Sequence, residues 1–335
     1  MRPRWLLAVC LVAGCADASL APDPGQLGFT TLSAGKDHSC GTVGSDVYCW
    51  GSTAGGLLGV SSDTTAEPLP RRVLLGPIRA TAVAAGDGIS CVLTTEKRAL
   101  CWGDGDAAAR PASGADSMTA IAVGNFACGL SGSGAAQCWS APGGAATTVT
   151  AATAFSAIAV GGMACGVTTD STVACWEPST PTASAVGGAA SIIAVAAGRA
   201  HACAINVGGT VLCWGANESG QLGDNTHASH AGAEPAGFAG TAVAVSAADD
   251  YTCVTTSSGE VWCWGAIPWL GQSFSFPVRA GVGFHLTAVS LGATHACALD
   301  VNDATPYCWG QNTWGQLGDG TATSTTEPTL VDGIQ

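Results

Sequence analysis

The stretch that decides the fold runs from His201 to Thr226, "HACAINVGGTVLCWGANESGQLGDNT". Cys203 and Cys213 flank a Gly-Gly turn, and Trp214 follows the second of them. The arrangement recurs along the chain. With Cys10 and Cys15 set aside, the remaining cysteines form seven pairs: Cys40/Cys49, Cys91/Cys101, Cys128/Cys138, Cys165/Cys175, Cys203/Cys213, Cys253/Cys263 and Cys297/Cys308. Each second cysteine precedes a tryptophan: Trp50, Trp102, Trp139, Trp176, Trp214, Trp264 and Trp309. Seven matches in seven mark an internal repeat.

Superposing the copies on their cysteines aligns further columns. An aliphatic residue stands seven or eight places before each first cysteine (Leu32, Val83, Ile121, Ile158, Val195, Val245, Val289). A glycine follows it in six copies, and Ala248 replaces that glycine in the sixth. Each unit reads as a short apolar strand, a tight turn, a cysteine strand, a hairpin loop and a second cysteine strand.

Residues facing each other across a hairpin have a constant index sum, so a spacing of ten fits an odd loop such as Val207 to Gly209. Five pairs have that spacing; Cys40/Cys49 is one shorter and Cys297/Cys308 one longer, a change the loop absorbs. Directly opposed strand positions lie about 4.5–5.5 Å apart at Cα, within disulfide range. Each pair is therefore expected to clamp its own hairpin. The strands are rich in Ala, Gly, Ser and Thr and bury little, so closing a ten-residue loop, worth about 2–3 kcal/mol on the chain-entropy model, has a structural purpose. Metal binding is the competing reading, because His38, His201 and His295 stand two places before a cysteine. The same column holds Ile89, Phe126, Met163 and Tyr251 elsewhere, which reads as a slot filled for volume. No metal or cofactor is expected.

The tails "WGANESGQLGDNT" (214–226) and "WGQNTWGQLGDGT" (309–321), with "AAGRAHACAI" and "SLGATHACAL" upstream, resemble the repeat of the regulator of chromosome condensation (RCC1) family. The third and fourth copies lack the "GQLG" loop. The resemblance runs from about Phe29 to the C-terminus and implies an all-β, seven-bladed β-propeller, matching the count of seven. The chain ends in "EPTLVDGIQ" and the ring begins with "FTTLSAG", whereas "EPLPRRVLLGPIRATAVAAG" (67–86) is continuous. The N- and C-terminal segments are accordingly expected to share a blade and close the ring.

The start, "MRPRWLLAVCLVAGC", has two arginines, a short apolar run and small residues before Cys15, the layout of a secretory signal. "LVAGC" (11–15) resembles the lipobox of bacterial lipoproteins, in which the cysteine becomes the lipid-bearing N-terminus. Cleavage after "ADA" (16–18) to give a soluble secreted chain also fits. The first reading divides the chain into a signal peptide (1–14), a lipidated Cys15 and Pro-containing tether (15–27) and a propeller (28–335) on the bacterial cell envelope. Sixteen cysteines suit such an oxidising setting.

The formal charge is −13, and loss of the signal removes Arg2 and Arg4 but no acid. So acidic a surface with no basic stripe argues against nucleic acid. Nucleotide-exchange and chromatin roles implied by the family do not suit a secreted acidic chain and are not carried over. The expectation is a monomeric ring that binds an unknown protein and touches membrane only through its lipid. The alternatives are a propeller enzyme of lyase or glycosidase type and a surface-coat or sensory component. Enzymes need converging carboxylates or a His with an acid, and the tight acidic groupings, Asp104/Asp106 and Asp249/Asp250, read as solvated turn acids. No nucleophile-elbow, zinc-protease or phosphate-loop motif is present. The longest inter-unit segments are 52–82, 215–244 and 265–288. In the last of these Trp269 has no repeat counterpart and lies close to Phe274 and Phe276; with Trp314, which sits in a family-type loop, these are the candidate partner contacts, Trp269 as central anchor.

Overall fold

The computed structural model describes residues 28–333. The signal, Cys15 and the tether lie outside the described residues. The first blade shows why the repeat folds as it does. Strand β1 (Thr31–Ala34) turns at a glycine into β2 (His38–Val43), which returns through a hairpin as β3 (Asp46–Ser52), and β4 (Ala66–Arg72) completes an antiparallel four-stranded sheet. Six further sheets repeat this order over residues 80–111, 118–148, 155–185, 192–235, 242–280 and 290–330. The chain is a seven-bladed β-propeller.

In every blade the second and third strands set the two cysteines directly opposite each other, as in Cys40↔Cys49 and Cys297↔Cys308. Seven disulfides join them within their own hairpins at Cα–Cα distances of 4.0–4.1 Å. Cys175 departs from the other paired cysteines in one respect. It is bonded to Cys165 and faces it in register, yet it is only half-buried, whereas Cys165 and both cysteines of every other pair are buried. In this blade the third strand (Val173–Glu177) and fourth strand (Thr180–Ala185) are joined by residues 178 and 179 alone.

The column tryptophans are buried between adjacent blades; Trp102, for example, packs in one cluster with Cys40, Cys49 and Val73 of the preceding blade. No helix among the described residues is long and apolar enough to cross a membrane.

The first strands of all seven blades line a central cavity of about 310 Å³. A belt of hydrogen bonds encircles one of its ends. The backbone N–H after each column glycine donates to the next blade: Lys36 to Gly86, Asp87 to Gly124, Asn125 to Gly161, Gly162 to Gly198, Arg199 to Asp249 and Ala293 to Gly35, at 2.9–3.2 Å. The glycines are required because a Cβ on Gly35 would stand 2.6 Å from the Gly86 carbonyl oxygen. In the sixth blade, where Ala248 replaces the glycine, the Tyr251 hydroxyl donates to the Gly292 carbonyl at 2.6 Å and closes the belt.

The termini do not share a blade. Residues 67–86, continuous in sequence, straddle a blade boundary: β4 ends one sheet at Arg72, and the strand Ala80–Ala85 begins the next. The N-terminal segment therefore opens the first sheet, and Thr325–Leu330 ends the last. The ring closes by packing between those two blades. Ala34 N–H donates to Ser290 Oγ at 2.9 Å, Trp50 Nε1 donates to the Gln316 carbonyl at 2.9 Å, and Phe29, Trp50, Cys297, Leu317 and Val331 form one buried cluster.

Candidate functional site

The two faces of the ring differ in construction. One carries the turns between first and second strands, which form the belted channel mouth, and the loops between third and fourth strands. The other carries the cysteine hairpins and the links from blade to blade. The channel wall is mainly Ala, Gly, Ser and Val, so charge is confined to the mouth, where Lys36, Asp87, Arg199 and Asp249 follow the column positions. Desolvation raises the Asp87 and Asp249 carboxyls above the usual aspartate range; Asp87 adds to the rise at Asp249, while Lys36 opposes it at both. Asp250 is held by an ion pair with Arg199. Asp106, in the other acidic grouping, pairs with Arg110 and accepts from Ala108 N–H at 2.9 Å. Both are turn acids with partners, and no group of three metal-ligating side chains occurs among the described residues.

The loops at 53–65, 216–229 and 311–324 surround this mouth. The latter two are each tied by a buried asparagine. Asn217 Nδ2 reaches Asp224 and Thr226 while its Oδ1 accepts from Leu222 N–H, and Asn312 repeats the pattern with Asp319, Thr321 and Leu317. Below them lies a repeated polar junction. The Leu57 carbonyl accepts from Trp102 Nε1 at 2.7 Å and Ser90 Oγ at 3.1 Å, both from the next blade, and Ser90 Oγ meets His38 Nε2 at 2.7 Å. Gln221, Trp264, Thr252 and His201 form the same junction, as do Gln316, Trp50, Ser39 and His295. Each hydroxyl gives its proton to the carbonyl, so the imidazole donates from Nε2 and is neutral. Desolvation lowers the pKa of His38 and His201 to about 4 and that of His295 to about 3; the nearby His38 adds to the last shift.

The histidine column is thus a set of inter-blade hydrogen-bond donors rather than filler. Its signal was in the sequence: the three copies with His are the three that keep a "GLLG" or "GQLG" loop.

The aromatic candidates do not form one exposed surface, although Phe274 packs against the cluster that holds Trp269. Trp269 is buried, 8% exposed, in the short 3-10 turn Pro268–Leu270, edge-on to Tyr251 at 5.5 Å and to Trp309 at 5.9 Å. It is a core residue of the boundary between the sixth and seventh blades, not an exposed anchor. The sixth blade has no "GQLG" loop, and Trp269 covers the next blade's tryptophan in its place. The extra length of 265–288 is also not a single loop: the turn Pro268–Leu270 leads into the nine-residue strand Gln272–Ala280, and residues 281–288 are a link on the opposite face. Phe274 and Phe276 pair edge to face at 6.0 Å on that strand, Phe276 being 47% exposed. Trp314 is 38% exposed in its loop, and the adjacent Gly315 packs against Pro68 of the first blade.

This architecture defines a class, the disulfide-clamped seven-bladed propeller with an open channel mouth. Family models for the regulator of chromosome condensation (RCC1) repeat match residues 80–107, 192–221 and 306–335. No curated protein sequence matches the chain. Among solved structures, human WBSCR16 is similar over 90% of this chain and 82% of its own (TM-score 0.57, 17% identity). Prp20p from Saccharomyces cerevisiae is similar over 90% and 76% (0.56, 15%), and the ectodomain of the Physcomitrella patens receptor kinase CR4 over 85% and 74% (0.60, 19%). At these identities the likeness is one of fold.

Proposed function

We propose that the chain is a non-catalytic binding scaffold, carried to the cell envelope by a signal peptide (1–14), anchored by lipid on Cys15 through the tether 15–27, and presenting its channel-mouth face to a protein partner. The observation that carries this reading is the pre-organisation of that face. Belted turns hold Lys36, Asp87, Arg199 and Asp249 at fixed places, and an asparagine-tied loop displays Trp314 on the same face, so little ordering entropy is lost on binding. Prp20p, which shares the fold, is described as binding Gsp1p and histones, which makes protein recognition a use this scaffold supports. Acidic turns around the mouth favour a basic partner surface.

Metabolic labelling with a palmitate analogue is expected to mark the wild-type chain and not Cys15→Ser. Cross-links to a partner recovered from envelope extract are expected to map to 53–65, 216–229 and 311–324, and Trp314→Ala is expected to weaken capture without lowering the melting temperature. Equal labelling of both chains removes the anchor, and cross-links confined to the cysteine hairpins remove the binding face.

A further inference from the structure

Six of the ten large apolar side chains most exposed among the described residues lie on the face opposite the channel mouth. Leu74 (80% exposed) and Val282 (64%) stand in blade-to-blade links, and Val207 (71%) and Val301 (49%) at hairpin tips. Ile193 (55%) and Val243 (53%) are bulge residues at the start of first strands. The corresponding bulges of three other blades hold Thr81, Thr119 and Ser156, each of which turns its hydroxyl onto a carbonyl of the neighbouring strand. Ile193 and Val243 have no such use for their side chains. The hairpin tip carrying Val207 joins them, since Val207 N–H donates to the Ser191 carbonyl and Ala242 N–H to that of Gly209. The fifth and sixth blades therefore bring three exposed aliphatic side chains to one part of this face.

One further observation identifies what covers it. The chain enters the ring on this face: Thr30 N–H bonds the Thr42 carbonyl next to the first hairpin tip, so residue 28, to which the tether is joined, lies on this side of the ring. Thirteen residues span at most roughly 45 Å, which holds the ring close to whatever fixes Cys15.

We infer that the hairpin face lies on the lipid bilayer, with Ile193, Val207 and Val243 in the headgroup–acyl boundary, so that the channel mouth faces away from the membrane. The inference rests on the reading of Cys15 as the anchor, and the test separates the two. The mass of the mature N-terminal peptide reports the acyl group. Amide exchange of the full mature chain is then compared with and without vesicles of phosphatidylglycerol and phosphatidylethanolamine. Exchange at 206–210 and 256–260 is expected to slow about threefold or more on vesicles, and turns 36–37, 87–88 and 249–250 to remain unchanged.

The triple variant Ile193→Ser, Val207→Ser, Val243→Ser, altered only at exposed side chains, is expected to keep its anchor and lose the protection. Protection of the mouth turns, protection of neither face in the anchored chain, or protection retained by the variant overturns the inference. Protection without vesicles would mean that a second copy of the chain covers the surface, which also overturns it. If the N-terminus carries no acyl group, the anchoring reading fails alone; the full chain is then held on nickel-chelating vesicles by an N-terminal hexahistidine, and the same hairpins must still be protected.

Discussion

Trp309 has its indole Nε1 buried with no hydrogen-bond partner among the described residues, and Trp269 lies edge-on against it. At three other boundaries the same indole donates to a loop carbonyl, from Leu57, Gln221 or Gln316. The sixth blade has traded that carbonyl for an aromatic ring, giving up a hydrogen bond for buried apolar contact. Truncation of Trp269 would leave a cavity between two blades and expose an orphan N–H to it. Trp269→Ala is therefore expected to cost about 3–5 kcal/mol, seen as a fall in the urea midpoint, with partner capture at the mouth unchanged in the folded fraction. An unchanged midpoint with lost capture would return Trp269 to the binding surface. In the sequence the residue looked functional because no repeat counterpart explained it. The explanation lay one blade further on, in a tryptophan whose usual cover was missing.

The same logic operates between whole elements. The second and third blades lack the long loop, and the tryptophan that follows each of them turns to sulfur: Trp139 Nε1 donates to Cys101 Sγ at 3.2 Å, and Trp176 Nε1 to Cys138 Sγ at 3.4 Å. Those two disulfides thus serve the boundary as well as the hairpin. Replacing Cys128 and Cys138 by alanine is expected to cost about 2–3 kcal/mol for the lost cross-link and about 1 kcal/mol more for the stranded indole. Replacing Cys253 and Cys263, whose sulfurs accept from no tryptophan, is expected to cost only the first amount; equal losses in denaturant titrations would show that the sulfur contacts are incidental. Hairpins and cysteine parity were legible in the sequence because both are local, fixed by a turn and a period of two. Blade membership was not, because residues 67–86 read as one segment while their halves belong to different sheets, and only long-range pairing separates them. The junction histidines were obscured because the column was read down the copies, where it varies, and not across each copy to its own loop.

For the ring as a whole, three of its seven boundaries hang on a neutral imidazole: His38 to Ser90, His201 to Thr252 and, at the closure itself, His295 to Ser39. Each is buried, and burial holds its pKa near 4 or 3, well below the ordinary 6.5. The sign follows from which state takes up protons. Below pH 6.5 the unfolded chain protonates these groups and the folded ring does not, so stability is complete above that value and drains away as pH falls toward the folded pKa. Each group contributes a slope of about 1.4 kcal/mol per pH unit in that window. Asp87 and Asp249 act in the opposite direction, because their raised carboxyls favour proton uptake by the folded state, but both stand exposed at the mouth and offset little. The urea midpoint is therefore expected to be flat from about pH 8 to 7 and to fall steeply from about 6.5 to 4.5. His295→Gln keeps a donor toward Ser39 and cannot titrate, so it is expected to make that fall about one third shallower. A midpoint that stays level through the same window, or a variant with the wild-type slope, would mean that the three junctions open to water before the ring unfolds and that closure depends on the apolar cluster around Trp50 alone.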